Sequence, residues 1–133
     1  MKPILFLFVC FSVLSFKTDP AKTDFNFLYQ NWHFYQYKAG DINEITYHSS
    51  KKFGNDYGYQ FRKNGTMTIS RSVHKLPRGM HPNFEEVEGE WKIIQDSILK
   101  ISYESNNKSY DEELIVRQLN ANELIVHLKT TNQ

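Results

Sequence analysis

The sequence predicts an all-β fold: an eight-stranded antiparallel up-and-down barrel, entered through a short N-terminal helical turn. Three observations carry that expectation. First, no window after residue 24 holds a helical hydrophobic period for three turns, whereas alternation with period two recurs between turn residues. Second, the alternating segments number eight, at about 31–38, 44–48, 57–62, 66–72, 86–94, 98–104, 110–118 and 123–129. Third, the segments are apolar on one face only, so each strand has a dry side and a wet side. Eight such strands in a row leave two unpaired edges unless the sheet closes, and closure into a barrel removes both. A two-sheet sandwich satisfies the same alternation and stays open as an alternative.

The first fifteen residues, "MKPILFLFVCFSVLS", read as a secretory leader. Lys2 is the positive start, residues 4–14 form the apolar stretch, and Val13-x-Ser15 offers small residues for cleavage. The stretch is shorter than the roughly 20 residues that span a bilayer. The expected organisation is therefore a signal peptide over 1–15, a flexible segment over 16–24 and one barrel domain over 25–133, exported to the periplasm or beyond. Cys10 is the sole cysteine. Lipid anchoring through Cys10 is the alternative, but Val9 stands where a small residue is preferred. Cleavage after Ser15 leaves no cysteine, so the core alone must hold the fold. Removing Lys2 leaves 15 basic and 15 acidic residues without a basic run, so no nucleic-acid partner is expected.

The elements follow in order. Asp24 caps a helical turn in "FNFLYQ". In "YGYQFRKNGTMTIS", a two-residue Asn64-Gly65 turn would split the apolar residues between two faces. A three-residue loop, Lys63-Asn64-Gly65, with Gly65 left-handed, instead places Phe61 opposite Met67, Tyr59 opposite Ile69 and Tyr57 opposite Arg71. In "GEWKIIQDSILKISY", a turn at Gln95-Asp96-Ser97 pairs Ile94 with Ile98 and Trp91 with Ile101. Val87, Trp91, Ile93, Leu99, Ile101 and Tyr103 then share one face. The last hairpin gathers Leu114, Val116, Leu124, Val126 and Leu128 only if its loop spans 119–123.

Four stretches carry a likeness: "YQNWHFYQY", the hairpin "FRKNGTMTI", the Gly-x-Trp hairpin "GEWKIIQDSILKI" and "YDEELIVRQLNANELIVHL". In order and spacing they resemble the small bacterial lipocalin-like domains of exported proteins, a branch of the calycin barrels, over nearly all the chain beyond the leader. Lipocalins proper open with Gly-x-Trp; here Tyr29, Gln30 and Asn31 precede Trp32 with no glycine. The resemblance implies that Trp32 closes the barrel floor, with Phe27 and Leu28 beside it. It also tips the reading toward a carrier of a small hydrophobic ligand.

The residues expected to face that ligand are Phe34, Tyr47, Tyr57, Tyr59, Phe61, Met67, Arg71, Trp91 and Tyr103. The same aromatic set would equally fill a solid core, since an eight-stranded barrel has room for side chains or for one small ligand. Arg71 beside Tyr57 could hold the carboxylate of a fatty-acid-like molecule, or could simply reach water at the rim. The five histidines, His33, His48, His74, His81 and His127, lack metal-ligand spacing, and no catalytic or phosphate-binding motif occurs. Neither a cofactor nor catalysis is expected. The rival reading is a filled barrel that meets a protein partner through the long loop 72–85, "SVHKLPRGMHPNFE".

Overall fold

A computed structural model describes residues 22–72 and 83–129. The leader 1–15, residues 16–21 of the N-terminal segment and most of the loop 72–85 lie outside the described residues. Within them the strands are β1 (Asn31–Lys38), β2 (Asp41–Ser50), β3 (Gly58–Phe61), β4 (Thr66–Ser72), β5 (Phe84–Gln95), β6 (Ile98–Ser105), β7 (Lys108–Leu119) and β8 (Glu123–Lys129). They form one closed antiparallel barrel in which neighbours run up and down alternately around the ring β1-β2-β8-β7-β6-β5-β4-β3. Closure leaves no strand edge exposed.

The ring departs from chain order in one place. β3 pairs with β1 instead of β2, with Trp32 opposite Tyr59 and His33 opposite Gly58. β2 in turn pairs with β8, placing Ile45 opposite Val126 and Tyr47 opposite Leu124. The connection 51–57 therefore crosses the outside of β1. Phe53 sets its ring edge-on to His33 at 6.5 Å, His33 Nε2 bonds the Lys52 carbonyl, and Phe34 donates its N–H to the Tyr57 carbonyl at 2.8 Å. Gly54 and Asn55 turn the chain there with φ of 92° and 65°, conformations that glycine and asparagine tolerate best. The half-buried Phe53 is the apolar residue by which this crossing rests on β1.

The hairpins obey local turn chemistry. Gly65 has φ 84°, Arg62 N–H donates to the Thr66 carbonyl at 3.0 Å, and Phe61 faces Met67 with Tyr59 facing Ile69. This is the expected three-residue loop, selected because it puts every large apolar residue on one face. The β5–β6 turn differs. Gln95 pairs with Ile98, leaving a two-residue turn at Asp96-Ser97, and a bulge between Ile93 and Gln95 takes up the extra residue. Trp91 still faces Ile101, because the irregularity lies beyond them. A second bulge, between Val116 and Gln118, keeps both Val116 and Leu119 in phase with β8.

One end of the barrel is solid. The Asp24 carboxylate accepts the Asn26 N–H at 3.0 Å and starts a 3-10 turn over Phe25–Leu28. With three residues per turn, Phe25 and Leu28 share a side and Phe27 points away. Leu28 is fully buried and Phe25 packs on the core, whereas Phe27 is 41 % exposed; the expectation that Phe27 helps seal the floor is corrected. Trp32 is also fully buried and donates Nε1–H to the Leu28 carbonyl at 3.0 Å. Trp91 packs edge-on against Phe61 at 5.7 Å and donates to the carbonyls of Arg62 at 2.9 Å and Thr66 at 3.1 Å. The two indoles thus seal the floor and pin the β3–β4 turn to it. Burying 150–250 Å² in each contributes roughly 4–6 kcal/mol.

Candidate functional site at the barrel mouth

The interior changes character along the barrel. Around Trp32, Met67, Leu99, Ile101, Leu114, Leu124 and Val126 no side chain retains measurable exposure, so this half is packed solid. Above it, toward the ends of β4 and β6, the strands line an open-mouthed cavity of about 350 Å³. Its walls are Tyr47 from β2, Tyr57 and Tyr59 at β3, Ile69 and Arg71 from β4, Tyr103 from β6, Glu112 from β7 and Leu128 from β8. Half-exposed Tyr57 stands at the opening.

Five of the nine residues expected to face a ligand meet here: Tyr47, Tyr57, Tyr59, Arg71 and Tyr103. Phe34 stands beside the opening with its ring edge-on to Tyr47 at 6.4 Å and to Tyr57 at 6.5 Å. Phe61, Met67 and Trp91 belong to the packed half. Sequence alternation assigns a face but not a height along the barrel axis, and height separates these three from the cavity.

The site also holds residues that the sequence reading did not assign to it: Ile69, Glu85, Ser105, Tyr110, Glu112 and Leu128. The signal for two of them was a turn. Asn106 and Asn107 both adopt positive φ, at 52° and 58°, as a two-residue type I′ hairpin requires. Ser105 therefore pairs with Lys108, which sets Tyr110 opposite Tyr103 and Glu112 opposite Ile101. A carboxylate in phase with Leu114 and Val116 is an inward carboxylate.

Around the cavity the polar groups are specifically arranged. Tyr103 donates its hydroxyl to Glu112 Oε1 at 3.1 Å and stacks on Tyr110, rings nearly parallel at 5.0 Å. The Arg71 guanidinium lies over both rings, 5.7 Å from the centre of Tyr103 and 5.3 Å from that of Tyr110. Its Nε is 4.0 Å from Glu85 Oε1, and Glu85 also accepts the Ser105 hydroxyl at 3.2 Å. Tyr47 and Tyr59 lie 5.2 Å apart, ring centre to ring centre. Opposite Tyr103 stands Gly89, where a Cβ would come within 2.7 Å of the Ser102 carbonyl and 3.0 Å of Tyr103 Cβ. The missing side chain lets β5 approach the main chain of β6 closely at this level.

Burial is the main force on the phenols. It pushes Tyr47, Tyr59 and Tyr103 well above the ordinary tyrosine value, and the Glu112 charge adds to each. They stay protonated at any physiological pH and serve as hydrogen-bond donors and aromatic faces. Among the described residues no group of three or more His, Cys, Asp or Glu side chains converges as a metal site would require. No helix among them is long and apolar enough to cross a membrane.

The outer wall carries a wider groove of about 500 Å³ beside β5, β6 and β7. Exposed Glu88, Glu90, Glu104 and Asp111 dominate it, and it is not enclosed by the barrel. Comparison with known protein families, with curated proteins and with solved structures finds no match.

Proposed function

We propose that this protein binds a small, mainly apolar molecule in the mouth of its barrel and performs no chemistry on it. The observation that carries the reading is the contrast between a packed floor and a cavity of about 350 Å³ directly above it. That volume lies at the lower end of ordinary ligand sites, and aromatic walls with a few polar groups are their usual lining. The resemblance to exported lipocalin-like barrels and the leader-like residues 1–15 support a carrier working outside the cytoplasm, in the periplasm or as a secreted protein. The buried phenols hold their protons too tightly to act as bases near neutral pH. The expected capture of a fatty-acid carboxylate by Arg71 would compete with Glu85, whose Oε1 lies 4.0 Å from Arg71 Nε.

A second reading, contact with a protein partner, is favoured by exposed apolar residues on the first hairpin. Tyr37 is 55 % and Ile42 76 % exposed. Titration of the neutral probe 2-phenylethanol, followed by NMR, separates the two. Shifts confined to Tyr47, Tyr59, Ile69 and Leu128 are expected. Shifts confined to Tyr37 and Ile42, or none up to millimolar probe, would overturn the cavity reading.

A further inference from the structure

The charge balance of the mouth specifies which kind of ligand it suits. Among the described residues, three charged side chains face or border the cavity: Arg71, Glu85 and Glu112. Arg71 has partners: Glu85 Oε1 lies 4.0 Å from its Nε, and the stacked rings of Tyr103 and Tyr110 lie against its guanidinium. Glu112 has no such counter-charge. Its one hydrogen bond comes from a neutral phenol, Tyr103, and among the described residues no Lys, Arg or His pairs with it. Among the described residues, two carboxylates stand against one guanidinium at the mouth, one negative charge in excess.

A half-buried carboxylate without a counter-charge loses part of its hydration and gains no ion pair in return. The charge is close enough to Tyr47, Tyr59 and Tyr103 to resist ionisation of all three. The faces of those rings are themselves electron-rich, and a cation held between aromatic faces and a carboxylate is stabilised by both. The position of Arg71 over Tyr103 and Tyr110 is an internal instance of the same interaction. A carboxylate entering the cavity would meet the opposite situation: an occupied arginine and an unpaired Glu112.

We propose that the barrel mouth is a site for an organic cation, a primary amine or quaternary ammonium on a compact apolar body, with Glu112 as its counter-ion and Tyr47, Tyr59 and Tyr103 as its aromatic walls. This rests on the reading that the mouth takes a ligand at all. The apolar body lies against Ile69 and Leu128, and the cavity of about 350 Å³ limits it to roughly the size of one substituted ring. Selectivity over acids arises because Glu112 repels an anion while Arg71 stays with Glu85.

The test uses three probes of matched shape, phenethylammonium, 2-phenylethanol and 3-phenylpropanoate, titrated into the wild-type protein and into Glu112→Gln at neutral pH and low salt. Phenethylammonium should bind wild type at least tenfold more tightly than 3-phenylpropanoate. Glu112→Gln, which keeps the shape and the hydrogen bond from Tyr103, should weaken the amine at least tenfold and leave 2-phenylethanol within about twofold. Equal affinities for the three probes, or tighter binding of 3-phenylpropanoate, would overturn the cation proposal while leaving the mouth as a ligand site. Absence of shifts at Tyr47, Tyr59, Ile69 and Leu128 with all three probes would overturn the ligand site as well. Should Glu112→Gln fail to fold, the wild-type ranking of amine against acid decides the question alone.

Discussion

Replacing Gly58 by alanine should cost the protein about 3 kcal/mol or more of stability and open the seam between β1 and β3. A Cβ on residue 58 would sit 2.1 Å from the Trp32 carbonyl oxygen and 3.2 Å from the carbon that bears it. Both obstacles are main chain, so no rotamer change relieves the clash, and β1 must move away from β3. Trp32 moves with it, and with Trp32 goes the hydrogen bond to Leu28 that seals the floor. Gly40→Ala is the control. Gly40 has φ 81° and nothing within 4 Å of its missing Cβ, so only the left-handed backbone is penalised, at about 1–2 kcal/mol. Urea unfolding of both variants, with hydrogen exchange at the amide of Phe34, which donates across this seam to the Tyr57 carbonyl, separates the two costs. The comparison also tests the ring order, because the clash exists only if β3 lies against β1. A Gly58→Ala protein as stable as Gly40→Ala would show that the two strands do not touch in this way.

Alkali should unfold the protein steeply. Tyr47 and Tyr59 are buried, and desolvation first, then the nearby Glu112 charge, raises them well above the value of about 10 that a tyrosine has in an unfolded chain. Below pH 10 both states keep these protons, and the contribution is fully present. As pH climbs from 10 toward the raised folded values, the unfolded chain sheds protons that the folded one retains, so stability falls. Each phenol contributes a slope of roughly 1 kcal/mol per pH unit in that window, about 2–3 kcal/mol per unit for the pair. Tyr103 adds less, since it is half exposed and water screens it. Urea midpoints measured from pH 8 to pH 11.5 should therefore drop sharply above pH 10. Tyr47→Phe should remove about half of that slope, whereas Tyr35→Phe, on the outer wall, should leave it intact. An equal slope in wild type and Tyr47→Phe would mean that the phenols are not the source.

Much of the barrel was legible because its information is local. The alternation in β3 and β4, together with Asn64-Gly65, admits one register that keeps Phe61, Tyr59, Met67 and Ile69 on the same side, and that register forms. What escaped the sequence was non-local or one residue wide. The passage of residues 51–57 across β1 depends on Phe53 meeting His33, a contact between distant positions that no turn motif announces. The bulges at Ile94 and Arg117 shift phase by a single residue, which alternation alone cannot assign to a loop or to a strand. The site divided along the same line. Tyr47, Tyr59, Arg71 and Tyr103 could be placed inside, but their height above Phe61, Met67 and Trp91 follows from strand tilt and closure. Glu112 was the exception. Its position was readable from the Asn106-Asn107 turn, and only the habit of sending carboxylates to solvent hid it.

The most direct test of a ligand in the mouth is native mass spectrometry of the protein purified gently from its own host, beside an Ile69→Trp variant that fills the cavity. A small bound mass on the wild type, released on denaturation and absent from Ile69→Trp, is the predicted result, and its value would begin to identify the ligand. A bare polypeptide mass, or a bound mass retained unchanged by the filled variant, would contradict the account.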